Sequence, residues 1–249
     1  FNSPLFRDEA EFILLEKTSS GPHRLTVVSE EPTNASGTFT ISVSRLDSRE
    51  QARYVEGWRL MSDGAAANAL SSGAEALRYY EHAATLWREL GETRLQAQAL
   101  FSAALVRYWS LSDWEGSAEQ ALAAAELYRG LGLRGLYASA IFAYGYAEVE
   151  VAQSVGAESD AHFDNALAAY QESLSVHNSL ENSYAAARVE NFLGLAYFNR
   201  GAAGSDDFRH AEAHYQRAAQ LFSVTREWRK ELNARHNLAL INIEEGYGA

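Results

Sequence analysis

The sequence contains no cysteine, so disulfides, thiolate metal sites and thiol catalysis are excluded. That absence fits an extracytoplasmic setting. Proline is nearly absent, with Pro4, Pro22 and Pro32 all near the start; beyond them no missing backbone N–H forbids a helix. Lysine is limited to Lys17 and Lys230, and the formal charge is −12. Such a surface repels phosphate backbones, so nucleic acid is not an expected partner. No apolar run is long enough to span a bilayer as a helix, and no membrane insertion is expected. What is present is enough to fold: 47% of the 249 residues are hydrophobic and 22% charged. The chain opens on Phe1 rather than methionine, as expected for a cut or processed end of something larger.

Two regions follow. Residues 1–46 read as a short antiparallel β segment, expected to be the last part of a truncated β-sandwich. Apolar residues concentrate at Phe12–Leu15 and at Leu25, Val27 and Val28, with a Gly21-Pro22 turn between them. From Thr38 to Leu46, Phe39, Ile41 and Val43 alternate with Thr40, Ser42 and Ser44. One apolar face of three strands needs cover, expected from helices near Tyr54 and Trp58 or from a second chain. At Asp47-Ser48-Arg49-Glu50 the period changes to that of a capped helix. Residues 47–249 read as alanine-rich helices, with breaks expected near 62–73, 110–117, 154–160 and 201–207.

This second region repeats itself with a period of about 45 residues. Ala76, Tyr80, Ala83 and Leu86 lie on one helical face. The same spacing fits Ala118, Leu122, Ala125 and Tyr128, then Ala166, Tyr170, Ser173 and Val176, then Ala211, Tyr215, Ala218 and Leu221. Each set follows another helix carrying a small residue beside a larger one: Ala103-Ala104, Tyr144-Gly145, Leu193-Gly194 and Leu238-Ala239, with Glu56-Gly57 as the expected first copy. Small residues let two helices approach closely while large ones fill the adjoining gap. One such hairpin cannot bury its apolar face alone, so the units should stack. About four and a half hairpins are expected, and an unpaired last helix should expose Leu238 and Ile241.

The pattern resembles the tetratricopeptide repeat. Its best match is Asn191-Phe192-Leu193-Gly194-Leu195-Ala196-Tyr197 followed by His210-Ala211-Glu212-Ala213-His214-Tyr215-Gln216-Arg217-Ala218. Other copies put Arg107, Glu148 and Asn242 where this one has Tyr197. The resemblance implies a mainly α, right-handed solenoid of helical hairpins whose concave face binds protein or peptide. Together with Ser3-Pro4, His23–Val27, Gly37–Val43 and Leu86–Gly91, the chain also resembles the front of bacterial architectures. In these a pre-peptidase-like β-domain and repeats precede a caspase-like CHAT protease domain. That second likeness implies a downstream effector and adds to the lean toward an extracytoplasmic location.

Other motifs carry less. Gly130-Leu131-Gly132-Leu133-Arg134-Gly135 spells the dinucleotide fingerprint, but it follows a helix instead of a strand and reads as a helix stop. His210 and His214 could meet a metal from one face, yet no third ligand has suitable spacing. No nucleophile-elbow motif appears. The chain is therefore expected to be non-enzymatic and to carry no cofactor or metal.

The resemblance also places the groove. If the small residue of each first helix faces its partner, neighbouring positions share the concave face. One half then gathers Phe101, Leu105, Tyr108, Trp109, Phe142 and Tyr146, suited to apolar ligand side chains. The other gathers Arg188, Asn191, Asn199, Asn233 and His236, with Asn237 adjacent. Amides there would hydrogen-bond a peptide backbone, and Arg188 an acidic group. Two alternatives stay open: a structural spacer, or a homodimerisation module working through the β segment or the last helix.

Overall fold

The computed structural model describes residues 48–156, 159–201 and 205–247. The expected β segment at 1–46, and what covers it, lies outside the described residues. Among those described there are nine α-helices and no strand. They are α1 (Ser48–Ala69), α2 (Gly73–Glu89), α3 (Thr93–Val106), α4 (Trp114–Gly130) and α5 (Arg134–Val155). Then come α6 (Ser159–Ser179), α7 (Ser183–Arg200), α8 (Asp206–Val224) and α9 (Trp228–Tyr247). One π-helical turn, Arg107–Leu111, extends α3. Each helix packs on the next in chain order, so the molecule is a helical repeat.

The turns explain why several boundaries were hard to read. After α1, α2, α4, α6 and α8 the chain stops in the same way. The third N–H beyond the helix returns to a carbonyl five residues back, and the N–H before it to one three back. Glu92 thus donates to Trp87 and Gly91 to Arg88; Asn182 donates to His177 and Glu181 to Asn178. This motif places one residue in the left-handed region. Glycine fills that place at Gly91 and Gly132, but Ser71, Glu181 and Arg226 fill it elsewhere. Gly130–Gly135 is thus the end of α4, a turn and the start of α5. The break expected over 62–73 is confined to three residues, because α1 continues through Gly64 to Ala69. Helix starts are ordinary, with Asp113, Asn182 and Ser205 side chains accepting from backbone N–H groups three residues on.

Within a hairpin the two helices meet small residue on large. A Cβ added at Gly64 would lie 2.9 Å from the Tyr80 ring, at Gly145 2.9 Å from Tyr170, and at Gly194 2.8 Å from Tyr215. Gly57, one heptad before Gly64, lies as tightly against Trp87. The small-residue pair of α1 therefore sits at Asp63-Gly64, and Gly57 corresponds to Ala97, Ala138 and Ala187.

The α3–α4 hairpin departs from this rule and corrects the expected register. Ser117 Oγ donates to the Ala104 carbonyl at 2.9 Å, which makes Ser117 the counterpart of Ala76, Ala166 and Ala211. The face then runs through Ala121, Ala124 and Tyr128, all buried, whereas Leu122 points outward. Ala124, not Ala125, corresponds to Ala83, Ser173 and Ala218. The fourth members are the buried Trp87, Tyr128, His177 and Phe222, in place of Leu86, Val176 and Leu221. The π turn accounts for the poor local match, since it inserts a residue into the end of α3.

Two arginines near the ends of first helices, at different repeat positions, tie hairpins together. Arg107 bonds Glu81 of α2 at 2.6 Å, Gln120 of α4 at 3.1 Å, and Asp113. Arg200 pairs with Asp164 of α6 at 2.7 Å and Asp207 of α8 at 2.8 Å, and holds the Asp207 carboxyl below its usual range.

The last helix corrects a further expectation. Ala234 and Ile241 are buried against α8, and Leu238 is half-buried there. The apolar residues α9 exposes are Trp228, Leu232, Leu240 and Ile243.

Candidate binding surface

Besides contacting its chain neighbours, α3 touches α5, and α5 touches α7; no pair of even-numbered helices meets as closely among the described residues. The helices α3, α5 and α7 therefore approach one another on one side of the array.

On that side the π turn presents Tyr108 and Trp109 in succession. Tyr108 is buried and stacks on Tyr146 of α5 with centroids 4.4 Å apart. Its hydroxyl donates to Glu150 at 2.7 Å. Burial, reinforced by the Tyr146 hydroxyl and the Glu150 carboxylate, pushes the phenol well above its ordinary range, so it stays a donor. Trp109 is 68% exposed, with its indole 4.7 Å from Tyr108 and 5.7 Å from Tyr146. From Tyr146 the rings continue: Phe192 of α7 meets Tyr146 edge-on at 4.7 Å and Phe142 at 5.1 Å. Beneath them lies Tyr170, fully buried, its hydroxyl without a hydrogen-bond partner among the described residues.

The expected halves are joined differently from the sequence reading. Tyr108, Trp109, Phe142 and Tyr146 form one continuous band. Arg188, assigned to the polar half, has its guanidinium 5.2 Å above the Phe142 ring and belongs to the aromatic half. Phe101 is half-buried against the cluster of Ala97, Tyr128 and Ala140, and makes no ring contact with the band. Asn237 donates to Asn191 at 3.5 Å, linking α9 to α7. Asn199 is half-buried, while Asn233 and His236 are exposed on α9.

Two members of the band were missed by the sequence reading. Glu150 holds the same place in α5 as Trp109 in α3 and Asn199 in α7, five residues after the small residue, so its position was available. Phe192 lies two residues before Gly194, where α5 has Ala143; no repeat signal marks it.

Both histidines, His210 and His214, lie against Tyr197. His214 Nδ1 lies 2.6 Å from the buried Glu190, and its ring stacks on Tyr197 at 5.5 Å. No group of three metal-ligating side chains occurs among the described residues, and none of their helices is long and apolar enough to cross a membrane.

No protein-family model matches the sequence, and no curated protein matches it. Among solved structures, the chain is similar to the crystal structure of BtubC (BKLC) from P. vanneervenii, at 15% identity and a TM-score of 0.42. The match covers 77% of this chain and 92% of that one.

Proposed function

We propose that this chain is a tetratricopeptide-type scaffold, a right-handed solenoid of hairpins, that binds an extended peptide across α3, α5 and α7 without making or breaking bonds. The observation that carries the reading is the aromatic band, with exposed Trp109 at one end and Arg188 at the other. Aromatic anchors and arginine are the side chains that contribute most where a surface binds protein. A large apolar side chain of the ligand would lie against Trp109 and the edge of Tyr146. An acidic group would reach Arg188, which already leans on Phe142. Asn191 and Asn199 on α7, and Asn233, His236 and Asn237 on α9, continue the surface with groups that pair a peptide backbone. In the bacterial architecture that the sequence resembles, such a scaffold would hold a partner for an attached effector domain.

The test is to pan a random peptide library on the 249-residue chain and titrate enriched peptides against variants. Trp109→Ala, Arg188→Ala and Asn191→Ala are compared, each checked for an unchanged melting curve. Enriched peptides should combine a bulky apolar residue with an acidic one. Loss of Trp109 or Arg188 should weaken binding by about tenfold or more. Binding that none of the three variants alters would move the site off this face. Retention of no peptide would leave the spacer or homodimer reading.

A further inference from the structure

The ionic side chains that tie the helices together are paired with one another. Arg107 meets Glu81 and Asp113, and Arg200 meets Asp164 and Asp207. The buried Glu148 meets His162, and the buried Glu190 meets His214. Two charges on the aromatic band are placed differently. Glu150 is half-buried and accepts a hydrogen bond from the uncharged Tyr108 hydroxyl at 2.7 Å, but meets no cation among the described residues. Arg188 is exposed and rests on the Phe142 ring, with no carboxylate bonded to it among the described residues.

Their separation is set by the helix that carries the band. Phe142, Tyr146 and Glu150 recur every four residues along α5, so they share one face and each lies about 6 Å further along the axis. Arg188, over Phe142, and Glu150 therefore stand about 12 Å apart along the band. Tyr146 lies between them, with Trp109 beside it. An extended peptide advances about 3.3 Å per residue and turns every second side chain to the same face. Residues four apart thus span about 13 Å, and the one midway points the same way.

We infer that the band takes an extended peptide in which an acidic and a basic residue, four apart, flank a bulky apolar one. This rests on the peptide-binding reading above and names the class of its ligand. The basic side chain pairs with Glu150, the apolar one lies against Trp109 and Tyr146, and the acidic one reaches Arg188. The spacing suits either chain direction. The Tyr108 hydrogen bond fixes the Glu150 carboxylate and occupies one of roughly four acceptor positions on it, which leaves the others for an ammonium or guanidinium. A group held in place beforehand loses little freedom on binding. The overall charge of −12 draws a cation to the surface, while Arg188 repels one from the other end of the band.

The experiment pans the random peptide library on the parent chain and on Glu150→Lys. Parent-selected peptides should carry a base four residues from an acid with the apolar residue midway, and Glu150→Lys should select an acid in place of the base. One parent-selected peptide is then titrated against the parent and against Glu150→Gln, beside the same peptide with its base changed to glutamine. Glu150→Gln keeps an acceptor for Tyr108, so its melting curve should not move. Each single change should weaken binding by about tenfold, and both together by no more than either alone. Peptides that need Trp109 but carry no such base, or whose affinity Glu150→Gln leaves unmoved, overturn this inference and leave the peptide-binding reading standing. Selection of no peptide, or binding that Trp109→Ala and Arg188→Ala both leave intact, overturns the two together.

Discussion

Three hairpins and one solve the same packing problem in opposite ways. In α1–α2, α5–α6 and α7–α8, a glycine of the first helix lies against a tyrosine ring of the second: Gly64 on Tyr80, Gly145 on Tyr170, Gly194 on Tyr215. In α3–α4 both partners are alanine, Ala104 and Ala121, and both are buried. A glycine inside a helix costs about 1 kcal/mol relative to alanine. The three glycines are tolerated because the ring each admits buries far more apolar surface than a methyl group. The crossing is thus filled by a ring over a glycine in three hairpins and by two methyl groups in the fourth, so residue identity varies while both helices stay in contact.

The largest expected effect breaks the glycine–tyrosine arrangement directly. Tyr170→Ala should destabilise the fold by about 3–5 kcal/mol in denaturant titration, as for other buried aromatic truncations. Tyr170→Phe should be neutral or stabilising, because the hydroxyl it removes is buried without a partner among the described residues. A cost for the phenylalanine variant comparable with that of alanine would mean that the ring is not what fills the site.

Next in size is the glycine itself. Gly145→Ala should cost about 1–3 kcal/mol despite the gain in helix propensity, since the new Cβ meets both the Tyr170 ring and the Ala166 carbonyl. Ala104→Gly, the reverse change in the exceptional hairpin, should cost about 2 kcal/mol, from propensity and the lost buried methyl group together. A stabilising Gly145→Ala would remove the packing argument.

The turns give a smaller effect of opposite sign. Glu181 and Arg226 hold left-handed positions that Gly91 and Gly132 hold elsewhere. Glu181→Gly should therefore stabilise by about 0.5–1 kcal/mol, measured by thermal melting.

The smallest effect is one of pH. His177 takes the place of Trp87, Tyr128 and Phe222, and burial, then the charge of Arg188, lowers its pKa. A base with a depressed folded pKa is neutral when folded but takes up a proton when unfolded. Its contribution is thus full above the ordinary histidine value and falls as the pH drops below it. His177→Phe should flatten the stability profile between pH 7 and pH 5 relative to the parent chain. An unchanged slope would mean that other groups carry it.

The helices were legible because their small residues recur at intervals that only a helix places on one face. Phe39, Ile41 and Val43 alternate in a region that the described residues do not reach. The register of α4 was off by one because alanines at both 124 and 125 satisfy the same template; only the Ser117 hydrogen bond and the outward Leu122 separate them. The aromatic residues of the band were mostly legible as a set. Arg188 was assigned to the wrong neighbours because a long side chain chooses between solvent, carboxylate and ring only once those surfaces are in place.

By itself the sequence determined that residues from about 48 onward form stacked helices, and which positions had to be small, because both follow from local periodicity and side-chain volume. Tertiary structure decided which ring each small residue admits, and that Phe192 closes the band. It also decided which face of α9 packs on α8. Those outcomes depend on the distances between helices, and these are set by the sum of many contacts across the chain, so that no short stretch of sequence contains them.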